Sequence, residues 1–172
     1  SITTTTGFSS QNWESWPEFS QTLLLSLMVL GGMAGSTAGG VKIIRLVILI
    51  KYAVRELHMI IHPRAVISIK LGNHPISREI IRSVLAFFAI FSLILVFGTL
   101  SLTVMGLDLL TSFSAVLTSI GNVGPGLNLV GPGHNFYELP MMAKWILVTC
   151  MLLGRLEIYT GIVLFLPAFW KK

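Results

Sequence analysis

The chain has 172 residues, is 53% hydrophobic, carries 11% charged residues and has a net charge of +5 from 12 Lys+Arg against 7 Asp+Glu; its mean hydropathy is +0.82. Soluble domains hold about 25% charged residues, and a chain this apolar has too little polar surface to cover itself in water, so composition points to an integral membrane protein. The basic excess gathers near membrane boundaries rather than on a face interleaved with aromatics, which argues against nucleic acid and for anionic lipid and topology.

The chain opens on Ser1, inside a motif and without a start methionine or signal peptide, and reads as a fragment of something longer. The motif is "TTTTGF", Thr3 to Phe8. The first hydrophobic block, Trp16 to Ile50, is charge-free from Phe19 to Val41 and is interrupted by "GGMAGSTAGG" at 31–40. Two readings of that interruption are open. Gly31, Gly35 and Gly39 form a small-xxx-small row, a helix-packing device that predicts a continuous helix. The other reading predicts a break that lines a cavity, with Ser36 and Thr37 satisfying the freed backbone groups. A phosphate-binding loop is disfavoured because Val41 stands where its Lys is required and Lys42 comes one position late. Lys42 and Arg45 begin a helix on which Lys51, Arg55 and His58 share a face, as expected where a helix leaves the membrane.

The segment 51–82 carries Lys51, Arg55, Arg64, Lys70, Arg78 and Arg82 against Glu56 and Glu79, and the positive-inside rule places it in the cytoplasm with Lys171 and Lys172. The second block, charge-free from Ser83 to Leu107, is the cleanest spanning helix. Next comes a half-length amphipathic helix, Asp108 to Ser119, with Asp108 as its N-cap. The following stretch, Ile120 to Asn135, is rich in Gly, Pro and Asn and predicts neither helix nor ladder. A half-helix followed by irregular backbone between two spanning segments is the pattern of a re-entrant pore loop, here entering from outside. The third block, Leu139 to Trp170, contains Arg155 and Glu157; Cys150 within it reads as a small hydrophobe. Trp13, Trp16, Trp145 and Trp170 fit interfacial belts. His58, His62, His74 and His134 show no ligand-like clustering.

A cation crossing a membrane exchanges its water for other oxygens, and backbone carbonyls supply them without a full charge. Gly7 and Gly124 permit the backbone conformations that aim carbonyls at an axis. The half-helix turns its partly negative C-terminal end the same way. An internal echo supports pairing the two: Pro17 to Gly31 and Pro140 to Gly154 have equal spacing, each downstream of one of these glycines. Arg155 stands out because a charge near the bilayer centre costs about 3 kcal/mol unless it faces a bundle interior or water; its bland reading is snorkelling or pairing with a carboxylate. Glu157, two positions on, faces elsewhere on a helix and receives no role.

In order and spacing, "TTTTGF", "GGMAGSTAGGVKIIR", "GNVGPG" and "LLGRLEIYT" resemble the Trk/Ktr/HKT superfamily of potassium transporters, nearest its bacterial Trk-type branch. The resemblance covers the whole chain as a C-terminal part. It implies an all-α integral membrane fold of helix–pore-loop–helix repeats around a K+-channel-like pore, with about one and a half of four repeats present. Residues 1–62 would end the third repeat, 63–82 form a basic cytoplasmic loop, and 83–172 the fourth repeat. Carried over by motif, Thr5, Thr6, Gly7, Asn122, Val123 and Gly124 would be selectivity-filter residues, with K+ at Thr6, Gly7, Val123 and Gly124. Gly31, Gly32, Gly35, Ser36, Thr37, Gly39 and Gly40 would be a gate loop under the filter, and Arg155 a gate-associated charge. The resemblance further implies K+ as transported ion with no covalent cofactor, a multi-pass place in a bacterial inner membrane, a homodimer in lipid, and a cytosolic nucleotide-binding regulatory ring (TrkA-like).

Three functions are thus weighed. The first is a potassium-selective permeation subunit; a Na+-permeable relative stays open, although both filter glycines are intact. The second is a non-conducting, helix-packing scaffold, for which Gly124→Ala would matter little. The third, a membrane enzyme, finds no Ser/His/Asp, metal or paired-carboxylate constellation in the sequence.

Overall fold

A computed structural model of the chain describes residues 1–33, 36, 39–62, 69–72, 74–157 and 159. Five α-helices run through them: α1 (Glu18–Val29), α2 (Ile43–Ile61), α3 (Arg78–Val104), α4 (Leu109–Gly121) and α5 (Met141–Arg155). Pro17 and Pro140 occupy the N-cap positions of α1 and α5, where a missing N–H loses nothing. Ser77 and Asp108 cap α3 and α4 through their side chains, accepting from the amides of Ile80 and Leu110 at 3.4 and 3.2 Å.

Helix α3 spans 27 residues, about 40 Å at 1.5 Å per residue, which exceeds the ~30 Å hydrocarbon core. Among the described residues it is the one helix long and apolar enough to cross a membrane. It starts a turn before the charge-free block, so Arg78, Glu79 and Arg82 belong to the helix. Its Leu93, Val96, Phe97, Leu100 and Val104 are exposed, an outward row suited to lipid.

The core is built around α4. Its residues from Ser114 to Gly121 are buried without exception. Close approach on two sides is made possible by glycines: a Cβ on Gly98 of α3 would lie 2.9 Å from Val116 Cγ1, and one on Gly154 of α5 would lie 2.0 Å from the Ile120 carbonyl oxygen. The chain leaving α4 folds back along it. Thr118 donates to the Pro125 carbonyl at 3.3 Å, Ser114 Oγ accepts from Leu127 N–H at 3.2 Å, and Asn128 donates to Thr111 Oγ1 at 2.9 Å. These polar residues satisfy irregular backbone that would otherwise be buried unpaired.

Three features depart from the sequence-based expectation. The basic loop contains a two-residue antiparallel hairpin, β1 (Lys70–Leu71) with β2 (His74–Pro75), where only helix and loop are expected. It packs with α2 and α3 through a small second core of Ile48, Ile69, Ile81 and Val84. The stretch after α4, expected to be wholly irregular, contains a turn of 3-10 helix, Asn128–Val130. Trp13 is a core residue rather than an interfacial one: it is buried and donates from Nε1 to the Gly126 carbonyl at 3.1 Å, stapling the segment before α1 to the segment after α4. Trp16 and Trp145 are exposed, as an interfacial belt requires, and Trp170 lies outside the described residues.

Candidate functional site

Helix α4 ends at Gly121 in a Schellman motif: Asn122 turns left-handed (φ 52°), its amide bonds to Ser119 O at 3.2 Å, and the Val123 amide bonds to Thr118 O at 3.0 Å. The N-terminal motif repeats this pattern atom for atom. Thr5 is left-handed (φ 52°), its amide bonds to Ile2 O at 3.0 Å, and the Thr6 amide bonds to Ser1 O at 2.9 Å. Two residues after each left-handed residue stands a glycine with positive φ, Gly7 at 79° and Gly124 at 112°. A threonine in the left-handed region is strained by about 1–2 kcal/mol, since its branched Cβ crowds the carbonyl. The Thr4 and Thr6 hydroxyls, 2.9 Å apart, brace this turn.

The two motifs meet. A Cβ on Gly7 would lie 2.7 Å from Val123 O, and one on Gly124 would lie 3.5 Å from Gly7 Cα. Thr5 to Gly7 and Asn122 to Gly124, more than a hundred residues apart in sequence, are therefore side by side, beside the partly negative end of α4. Asn122 is anchored from below, its Nδ2 donating to Met151 O of α5 at 3.3 Å.

The Gly-rich stretch is not a continuous helix. Helix α1 stops at Val29 and α2 starts at Ile43. The ends of the intervening loop are tied by a Leu30–Val41 bridge, with Gly31 N to Val41 O at 3.0 Å and Val41 N to Val29 O at 3.2 Å. The loop lies against the C-terminal end of α4: a Cβ on Gly39 would fall 2.2 Å from Gly121 O, and one on Gly31 would fall 2.2 Å from Gly39 O. Gly40 takes a positive φ of 76°, and Ser36 donates its amide to Met33 O at 2.9 Å. Gly32 accepts from the Ile43 amide at 3.3 Å. Gly35 and Thr37 lie outside the described residues.

Beside the loop is a cavity of about 230 Å³ whose walls include Ser36, Gly39, Gly40, Ile120 and Arg155. Arg155 is the last residue of α5 and thus stands at the loop's edge. Glu157 lines the same cavity and has a part that sequence reasoning missed. It binds Lys42 Nζ at 2.5 Å and Arg45 Nη2 at 3.2 Å, joining the end of α5 to the first turn of α2 just beyond the loop. The helical-face argument fails because α5 ends at Arg155 and Glu157 itself is left-handed (φ 55°). Complementary charge was the available signal: Lys42 and Arg45 are the first cations after the charge-free run, and Glu157 is the one acid in the last block after Glu138. Its side chain is 52% exposed, so the pairs add little stability on their own. Arg45 also lies 4.1 Å over the Phe87 ring, and Tyr159 donates to Ser83 O at 2.5 Å, so α2, α3 and the end of α5 converge there.

Comparison with known proteins gives a consistent result. A family described as cation transport protein, TrkH, matches residues 1–172. The Trk system potassium uptake protein TrkH of Escherichia coli K12 is 42% identical over 172 residues, all of this chain and 35% of the relative. TrkG of the same strain is 39% identical over the same share. The crystal structure of the potassium transporter TrkH from Vibrio parahaemolyticus superposes with a TM-score of 0.88 at 41% identity, covering 99% of this chain and 36% of that one. The chain thus spans about 35% of the length of the curated relatives it matches.

Proposed function

The chain belongs to the TrkH family of cation transport proteins, and we propose that it supplies two sides of a K+ selectivity filter, with the gate beneath them, to a membrane potassium-uptake protein. The relatives it matches are named potassium uptake proteins, which are transporters rather than enzymes. One observation carries the reading: two segments with the same strained backbone, Thr5 to Gly7 and Asn122 to Gly124, meet at the C-terminal end of a buried half-length helix. Carbonyls held this way, next to a helix C-terminus, offer a desolvated cation oxygens with partial negative charge and no titratable group. K+ would be held at Thr6, Gly7, Val123 and Gly124, with Thr5 and Asn122 setting the turns. Residues 1–62 and 83–172 would be parts of two pore repeats joined by the cytoplasmic segment 63–82.

The loop from Gly31 to Gly40 is the gate in this reading. Its neck is closed by two hydrogen bonds, and Gly31 and Gly39 make close backbone approaches there that no side chain would fit. Such a segment has the low local stability that a two-position element needs. Arg155, at its edge, adds a positive charge that opposes cation passage when the loop is closed. The break in the helix speaks against the packing-face reading, which requires continuity. A multi-pass place in a bacterial inner membrane, a homodimer and a cytosolic nucleotide-binding ring belong to this proposal by family resemblance.

The test is cation uptake by the full-length protein in proteoliposomes, K+ against Na+, with Gly124→Ser alongside. K+-preferring flux whose preference weakens in the variant is expected, because at φ 112° a side chain cannot hold the native backbone. Folded protein that carries neither ion, with or without a cytosolic partner, would return the chain to the scaffold reading.

A further inference from the structure

Between α2 and the start of α3 lies a second cavity, about 340 Å³, which shares no lining residue with the first and is walled by Tyr52, Arg55, Arg78 and Arg82 over an apolar floor of Ile81 and Leu85. Three arginines thus line one space, with a single carboxylate, Glu56, at its wall. Among the described residues the carboxylates engaged in ion pairs are Glu157 and Glu14, and neither pairs with these arginines. The Nε of Arg55 is shielded from solvent and has no acceptor among the described residues. A buried donor left without an acceptor is unfavourable, the more so when charged, so an acceptor supplied from outside the chain would complete the site. An excess of positive charge requires that acceptor to be anionic. The planar, forked donors of arginine match the paired oxygens of a phosphate.

The position selects the source. Arg82 immediately precedes the charge-free run from Ser83 to Leu107, so the arginines stand where the spanning helix emerges. The floor continues into that run: Ile81 is buried, and Leu85, one turn further into the membrane, is partly buried. A free phosphate makes no use of an apolar floor, whereas a phospholipid places its phosphodiester at the arginines and its acyl chain along Ile81 and Leu85. We propose that Arg55, Arg78 and Arg82 form a binding site for the phosphate of an anionic phospholipid in the cytoplasmic leaflet. This rests on the membrane orientation given above, in which 51–82 is cytoplasmic.

The test is native mass spectrometry of the full-length protein taken from vesicles of phosphatidylglycerol and phosphatidylcholine, with K+ uptake measured in the same vesicles. Preferential retention of phosphatidylglycerol is expected, falling roughly tenfold or more in the double variant R55Q/R82Q. The variant R55K/R82K, which keeps the charge and loses the fork, should retain less lipid than the parent and more than the glutamine variant. Lys70→Gln, which removes an exposed charge of the same segment outside this cavity, should leave retention unchanged. Equal losses in Lys70→Gln and R55Q/R82Q would reduce the effect to general surface charge and overturn the site. Displacement of the lipid by millimolar inorganic phosphate would likewise overturn it, in favour of a soluble anion. Unchanged lipid retention with weakened binding of a cytosolic protein partner would assign the arginines to that partner and end the proposal. Uptake without selective lipid retention sinks the lipid site alone, and lipid retention without uptake sinks the pore reading alone.

Discussion

Gly39→Ala tests the proposed gate directly because the structure fixes what the added methyl would meet. A Cβ there would sit 2.2 Å from the Gly121 carbonyl oxygen, whereas carbon–oxygen contacts settle at about 3.3 Å or more. The loop must therefore move away from α4 by about 1 Å, since the obstacle is helix backbone rather than a side chain that can turn aside. Space for such a shift exists beside the loop, in the cavity of about 230 Å³ that Gly39 and Gly40 line. Overpacking of this kind disfavours the packed state by about 1–3 kcal/mol. If the packed state is the closed one, the open-to-closed ratio rises by roughly 5- to 150-fold. Uptake of K+ into proteoliposomes should increase within that range while the gate remains mostly closed in the parent, and K+ preference over Na+ should be preserved. A folded Gly39→Ala protein with parental or lower flux would refute the reasoning. Raised flux with lost selectivity would place the strain in the filter instead of the gate.

Arg155→Ala should raise K+ flux several-fold by removing a positive charge from the edge of the loop; Arg155→Lys should stay near the parent, and equal flux in all three proteins would count against a gating role. Gly154→Ala should lower the thermal midpoint by several degrees, since its Cβ would press to 2.0 Å on Ile120 O and 2.9 Å on Asn122 Nδ2. Because Asn122 opens one proposed filter segment, the same variant should weaken K+ preference, and an unchanged melting curve would show that α5 and α4 are less tightly apposed than described. Trp13→Phe removes the donor to Gly126 O and should cost about 1 kcal/mol of stability; a wild-type denaturation profile would mean water replaces that bond.

Helix existence and type were legible in this sequence because the bilayer imposes simple rules on residue order. Charge-free runs must be long enough to span, prolines mark helix starts, and cations gather on one side; α1, α3, α4 and α5 follow from these. The candidate filter glycines were legible through local chemistry, since only glycine readily adopts the φ that Gly7 and Gly124 show. The Gly-rich interruption was legible as an anomaly but not as a shape. A small-residue row and a helix break share the same composition, and the Leu30–Val41 closure that distinguishes them is a hydrogen-bond pattern between residues distant in sequence.

What tertiary structure alone decided is every contact that joins remote segments. Trp13 reads as an interfacial aromatic until its Nε1 is seen to meet a carbonyl more than a hundred residues away. Glu157 lacks a role on a continued helix and gains one when the chain turns left-handed after Arg155 and brings it to Lys42 and Arg45. The meeting of Gly7 with Val123 and Gly124, on which the functional reading stands, is of the same kind. The sequence by itself determined which segments are helical and where the backbone must be irregular, because each follows from interactions between near neighbours and from the solvent. Which irregular segments face one another is set by packing on α4, where glycines admit backbone to within contact distance, and close packing of that kind has no signature along the chain.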